Sequence, residues 1–139
     1  MGIIFEKINY PELNSRQQEA YNFQKVSAIL ADFGYLTIRL SDDWNGADFI
    51  ALHCRTKAFL KIQLKGRLCF YKKYCDQDLY ICFNESGSWY MYPHDEVLKE
   101  VLATGLLAGT EPWDVHQEYS FPRIPQRLRE LLAPYRLVV

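Results

Sequence analysis

The sequence lacks any apolar run long enough to cross a bilayer. Its first residues, Met1-Gly2-Ile3-Ile4-Phe5-Glu6, also lack the basic flank and long apolar core of a secretory signal. Together these absences lead us to expect a cytoplasmic protein with no membrane partner. There is no Gly-rich phosphate-binding loop, no dinucleotide fingerprint and no nucleophile elbow, so three common enzyme classes have no footing here. No repeat, low-complexity tract or linker divides the chain, and 139 residues suit one domain, read as 1–139. The four cysteines, Cys54, Cys69, Cys75 and Cys82, include no C-x-x-C pair, and His53 beside Cys54 is the only close His/Cys pair. That spacing favours buried reduced thiols over a metal–thiolate site.

What is present is a globular composition, 49% hydrophobic and 15% aromatic. The net charge of −1 conceals a segregation. From Phe49 to Cys75 there is no acidic residue, while Arg55, Lys57, Lys61, Lys65, Arg67, Lys72 and Lys73 fall in that stretch. Such one-sidedness fits a local positive field for a polyanion, and it equally fits a solvated basic hairpin.

The spacing predicts a helix from Asn14 or Ser15 to about Phe33. Gln17 or Gln18 stands at the capping-box position, Gly34 is the left-handed stop, and Phe23, Val26, Leu30 and Phe33 form the core-facing stripe. Strands follow at Tyr35–Leu40, Ala47–Leu52, Ala58–Lys65, Asp78–Phe83 and Ser88–Tyr92, with Ser41–Gly46 as a turn-rich loop. A second helix is expected from about Pro93 to Ala103, and a short one from Pro125 to Leu132, with Pro125 in its first turn. Residues 112–122 carry no clear pattern. The order implies a mixed α/β (α+β) domain, a central mixed sheet of about five strands flanked by helices.

Alternation along the third strand puts Leu60, Ile62 and Leu64 on one face and Lys61, Gln63 and Lys65 on the other. In an antiparallel hairpin the start of the first strand lies opposite the end of the second, so Asp48 falls beside the Gln63–Lys65 end. Glu19, with Arg16 before it, continues the helix stripe backwards from Phe23. It is either an acid near a helix N-terminus or a carboxylate aimed at the same site. Acidic and amide oxygens beside a lysine suit phosphodiester hydrolysis assisted by a hard cation such as Mg²⁺ or Mn²⁺.

The run Asn45-Gly46-Ala47-Asp48-Phe49-Ile50, followed by Lys61-Ile62-Gln63-Leu64-Lys65-Gly66-Arg67, resembles the active-site signature of the PD-(D/E)XK nuclease superfamily. The resemblance covers the first helix through the third strand. It implies a restriction-endonuclease-like or resolvase-like core and a metal-dependent endodeoxyribonuclease acting on DNA, by analogy as a homodimer. It further implies Asp48, Gln63 and the Leu64 carbonyl as metal ligands, Glu19 as the helix-borne acid, Lys65 as the catalytic lysine and Arg67 as a phosphate contact. Gln63 departs from the family's Asp or Glu and contributes no charge. A helix usually follows the lysine strand, yet only Gly66–Gln77 is available for it here. The same residues therefore also fit a nuclease-fold protein that binds nucleic acid without efficient cleavage, or a buried Asp48–Lys65 ion pair.

Arg16, Lys61, Arg67, Lys72 and Lys73 are the candidate nucleic-acid contacts. Phe70-Tyr71-Lys72-Lys73-Tyr74 interleaves aromatic and basic groups that either grip a strand or pack with the lysines reaching outward. Asp95 and Glu96 read as helix N-terminal acids, and His53 and His116 as structural or surface residues.

Overall fold

The computed structural model describes residues 2–44 and 46–138. Its first helix, α1 (Ser15–Asp32), begins with a complete capping box. Asn14 Oδ1 accepts from the Gln17 N–H at 2.9 Å, and Gln17 Oε1 accepts from the Asn14 N–H at 3.0 Å. Such a cap is worth about 1 kcal/mol. Val26 and Leu30 are fully buried, but Phe33, expected to close the apolar stripe, is 40% exposed. The helix has already ended there, and Gly34 at φ +88° turns the chain. A side chain at Gly34 would meet His53 Nε2 at 2.8 Å.

The strands are β1 (Tyr35–Trp44), β2 (Ala47–His53), β3 (Phe59–Leu64), β4 (Cys69–Tyr71), β5 (Leu79–Glu85), β6 (Ser88–Pro93) and β7 (Glu118–Ser120). The remaining helices are α2 (His94–Ala103), α3 (Glu111–Asp114) and α4 (Gln126–Leu132). The central sheet is five-stranded and mixed, in the order β1-β2-β3-β5-β6. Only the β3–β5 pair is parallel, and β4 and β7 form a separate two-stranded ribbon. The expected α+β architecture with a mixed central sheet flanked by helices is therefore present.

Two apolar clusters hold the sheet. On one face α1 packs Val26 and Leu30 onto Phe49, Ala51, Ile62 and Cys82. On the other, Ile81, Phe83, Tyr90 and Tyr92 meet α2, α4 and the β4–β7 ribbon through Val97, Val101, Leu128 and Phe70. That second layer covers β5 and β6 but leaves Leu36 and Ile38 of β1 and Phe59 of β3 more than half exposed.

Several sequence boundaries change. Ser41–Trp44 belongs to β1 and is not a free loop, whereas Asn45 lies outside the described residues. The stretch after β3 holds no α-helix but the strand β4 and the 3-10 turn Lys72–Tyr74. This crossover still returns the chain to a parallel partner, as a connection of about a dozen residues can. The unpatterned stretch contains α3 and β7, each too short to show a period. Pro125 stands at the N-cap of α4, just before the first turn. Of the thiols Cys82 is buried and Cys54 is exposed, because it lies in the turn beyond β2. No helix among the described residues is long and apolar enough to cross a membrane.

Candidate active site

The β2–β3 hairpin runs in register from Leu52↔Phe59 to Phe49↔Ile62, which brings Asp48 level with Gln63. Backbone pairing stops there. The Leu64 N–H donates instead to Asp48 Oδ2 at 2.9 Å. In an extended residue the N–H and C=O point to the same neighbouring strand, so the Leu64 carbonyl is directed to the Asp48 side.

On its other edge β2 meets a disruption in β1. Arg39 pairs with Phe49 and Trp44 with Ala47, so residues 40–43 face residue 48 alone. An extended bulge of this kind unpairs the local backbone and bends the strand, and bulges collect beside functional sites. Gly46, at φ +84°, makes the tight return into β2, and a Cβ there would lie 2.7 Å from Leu79 Cδ1.

The bulge and the strand ends enclose a polar cavity of about 400 Å³. Its walls bring together Glu19 and Arg16 from α1, Arg39, Ser41 and Asp42 from β1, Asp48 from β2, and Gln63, Leu64 and Lys65 from β3 and its end. Of the expected site residues, Glu19, Asp48, Gln63, Leu64, Lys65 and Arg16 thus share one cavity. The others lie elsewhere. Lys61 donates to the Gln77 carbonyl and sits 5.7 Å from the Trp44 ring centroid. Arg67 lines an adjacent cleft with Lys65 and Glu118. Lys72 and Lys73 are exposed and stand over the rings of Trp113 and Tyr71, at 5.1 and 4.4 Å.

Gln63 carries the most informative atom. Its Oε1 is buried and accepts no hydrogen bond from any described residue. An unsatisfied buried oxygen costs about 1–3 kcal/mol, so at the wall of a polar cavity this atom is an open acceptor position for a water or a cation. The donor set of a carboxylate, an amide oxygen and a backbone carbonyl suits a hard cation of the Mg²⁺ or Mn²⁺ type, and the residues fit such an ion.

Lys65 is held from behind. Burial acts to lower its pKa, but a hydrogen bond to Tyr74 and electrostatic attraction to Tyr74, Cys69 and Asp48 outweigh that and raise it above the ordinary lysine value. Its ammonium lies 5.5 Å from the Tyr74 ring centroid. At neutral pH Lys65 is a fixed cation and not a proton acceptor. Nearby Cys69 is pushed up to about 11 by burial, against the pull of Lys65, so its thiol stays protonated and is no nucleophile. Sequence reasoning missed Tyr74 and Arg39 as members of this site. Tyr74 lay within the aromatic–basic stretch and Arg39 on the β1 alternation, but only the crossover and the bulge bring them here.

A second polar cluster joins Cys75, His94 and Asp95, whose ligand atoms lie within 4.8 Å of one another. His94 is fully buried, its Nε2 accepts from the Tyr71 N–H at 3.1 Å, and Nδ1 lies 2.9 Å from Asp95 Oδ1. Accepting at Nε2 places the ring proton on Nδ1, where it is donated to Asp95 and blocks metal binding at that nitrogen. Burial, opposed by the Asp95 bond, lowers the His94 pKa. The neutral His94 ring, bonded to the Asp95 carboxylate, is a pin between the N-terminus of α2 and β4. Of the remaining histidines, His53 Nδ1 accepts from the Arg55 and Thr56 N–H groups in the hairpin turn, and His116 is a surface residue 3.8 Å from Glu111.

No family model matches the chain, and no curated protein matches it. Among solved structures it is similar to Hjc from Archaeoglobus fulgidus, a Holliday junction resolvase from an archaeal hyperthermophile. That similarity has 20% identity and a TM-score of 0.41, and covers 50% of this chain and 74% of the resolvase.

Proposed function

We propose that the protein is a metal-dependent nuclease of the PD-(D/E)XK type that hydrolyses DNA phosphodiester bonds in the Asp48–Gln63 cavity. The observation that carries the reading is the buried, unpartnered Gln63 Oε1, level with the Asp48 carboxylate in a cavity that also holds Lys65 and Glu19. The sequence signature supplies independent support. Asp48, Gln63 Oε1 and the Leu64 carbonyl would hold Mg²⁺ or Mn²⁺, which supplies positive charge for a phosphate under attack.

The chain's own groups do the rest. Lys65, a cation at neutral pH, neutralises the oxygens of the phosphate in the transition state. Arg16 and Arg39 add cations at the cavity wall that orient a phosphodiester. Glu19, exposed at the N-terminal part of α1, offers a carboxylate to accept a proton from a water in the cavity. The Leu64 N–H fixes the rotamer of Asp48, so the carboxylate is set before substrate arrives.

A second reading is nucleic-acid binding without efficient cleavage. It is favoured by the neutral Gln63 and by the bond that holds Lys65 to Tyr74. Linear and branched DNA incubated with Mg²⁺ or Mn²⁺ separates the two. Cleavage lost in both Asp48→Ala and Lys65→Ala supports the nuclease. Salt-sensitive binding with no cleavage supports the second reading, and neither binding nor cleavage refutes both.

A further inference from the structure

Beside the cavity lies a larger cleft of about 560 Å³, between α1 and the β5–β6 hairpin, and the two share Glu19, Leu64 and Lys65. Its size is that of a small-molecule site. Its lining is of a different kind, with three aromatic rings (Tyr10, Tyr21, Trp89), two amides (Asn22, Asn84) and the Lys25 ammonium.

Tyr10 and Tyr21 are each 37% exposed, with ring centroids 5.2 Å apart, so aromatic surface is left to a ligand. The amides are already half-committed in opposite senses. Asn22 Nδ2 donates to the Tyr10 hydroxyl at 2.8 Å, which leaves its oxygen as an acceptor. Asn84 Oδ1 accepts from the Gly87 N–H at 3.0 Å, which leaves its NH₂ as a donor. One free donor and one free acceptor beside aromatic surface match the edge and the face of a nucleobase. The Lys25 ammonium, 5.2 Å from the Tyr21 ring centroid, covers a face on which a base would stack, and it is long enough to swing to that nucleotide's phosphate.

We propose that this cleft takes one unpaired nucleobase of the strand whose backbone crosses the Asp48–Gln63 cavity. The substrate class is then nucleic acid with a single-stranded or unstacked nucleotide beside the phosphate attacked, and not uninterrupted duplex. The assignment rests on the phosphate reading of the neighbouring cavity. It follows because a base inside a duplex is covered on both faces and cannot enter a cleft without leaving the stack.

The test is equilibrium binding by fluorescence anisotropy, with the full chain and no divalent cation. The ligands are a short single strand, its all-abasic counterpart, the matching duplex and the mononucleotide. The single strand is expected to bind about tenfold more tightly than the abasic strand. Tyr21→Ala should abolish that preference and leave abasic affinity unchanged, and Tyr21→Phe should keep it. Tyr21 lies on the outer part of α1, and circular dichroism verifies that both variants fold. Equal affinity for the two strands, a preference that survives Tyr21→Ala, or tighter binding of duplex overturns the assignment. A mononucleotide that binds as tightly as the strand also overturns it, because the cleft would then serve free nucleotides. If the base preference is missing while salt-sensitive backbone binding and Asp48-dependent cleavage persist, only the cleft assignment falls. If no strand binds at all, the cleft assignment falls, while the phosphate reading, which needs the divalent cation, is decided by the Mg²⁺ or Mn²⁺ cleavage experiment.

Discussion

Replacing Gln63 by methionine isolates the atom on which the proposed metal site depends. Methionine has nearly the same length and volume, so the cavity wall is kept, while the buried Oε1 disappears. If that oxygen stands unsatisfied in the metal-free protein, its removal relieves a desolvation cost of about 1–3 kcal/mol. Losing a pre-formed ligand position offsets nothing in the absence of a ligand, so Gln63→Met should be the more stable protein. For a chain of this size 1–2 kcal/mol corresponds to a rise of roughly 3–7 °C in Tm. The assay is thermal unfolding in chelator and again in millimolar Mn²⁺. In chelator the variant should melt higher than the wild type. In Mn²⁺ the wild type should gain stability by mass action and the variant should gain far less, so the order narrows or reverses. A variant that melts several degrees lower in chelator, with its Mn²⁺ response intact, would rule out a ligand role for Oε1. It would mean that Gln63 is a structural residue with its hydrogen bonds satisfied by solvent.

Tyr74→Phe removes the hydroxyl that holds Lys65 and should cost about 0.5–1.5 kcal/mol by denaturant unfolding. Because the folded Lys65 pKa is raised, its stabilising contribution is complete below the ordinary lysine value and is lost as pH rises through the folded value. The wild-type advantage over Tyr74→Phe should therefore shrink in strong alkali. At His94 the sign is opposite. Burial lowers its folded pKa, so between the folded value and about 6.5 the unfolded chain binds a proton that the folded chain does not. Stability should fall as pH drops below about 6.5, and a pH series of unfolding curves measures the slope. His94→Ala should flatten that slope and, by leaving the Tyr71 N–H without its acceptor and a cavity in the core, cost about 2–4 kcal/mol.

How much of this was legible in the sequence depends on the range of the interaction that decides each feature. The α1 cap, the β2–β3 register and the level placement of Asp48 and Gln63 follow from local chemistry and a period of two, and these the sequence shows directly. The Ser86–Gly87 turn is equally local, both residues taking positive φ as a tight hairpin requires. Ser41–Trp44 misled because its residues favour turns, while the pairing of Trp44 with Ala47 across the bulge is decided by the partner strand. The β4 and β7 strands have three residues each, too few for an alternation to register. Phe33 repeats at helical spacing, but spacing cannot tell that the helix stops one residue earlier. Within the site, the sequence could name Lys65 but not Tyr74, whose placement behind it depends on the fold of the crossover. It could name Gln63 as a departure from the signature that the sequence resembles, but only the packed structure reveals that its oxygen has no partner among the described residues.

On the proposed function Asp48 and Gln63 share a divalent cation. A crystal of the protein soaked in Mn²⁺ and measured by anomalous scattering tests it most directly. One Mn²⁺ is expected between the Asp48 carboxylate and Gln63 Oε1, about 2.0–2.3 Å from each, with the Leu64 carbonyl as a third protein ligand. A cavity that shows no anomalous density at saturating Mn²⁺, or one filled by the Lys65 ammonium, would contradict it.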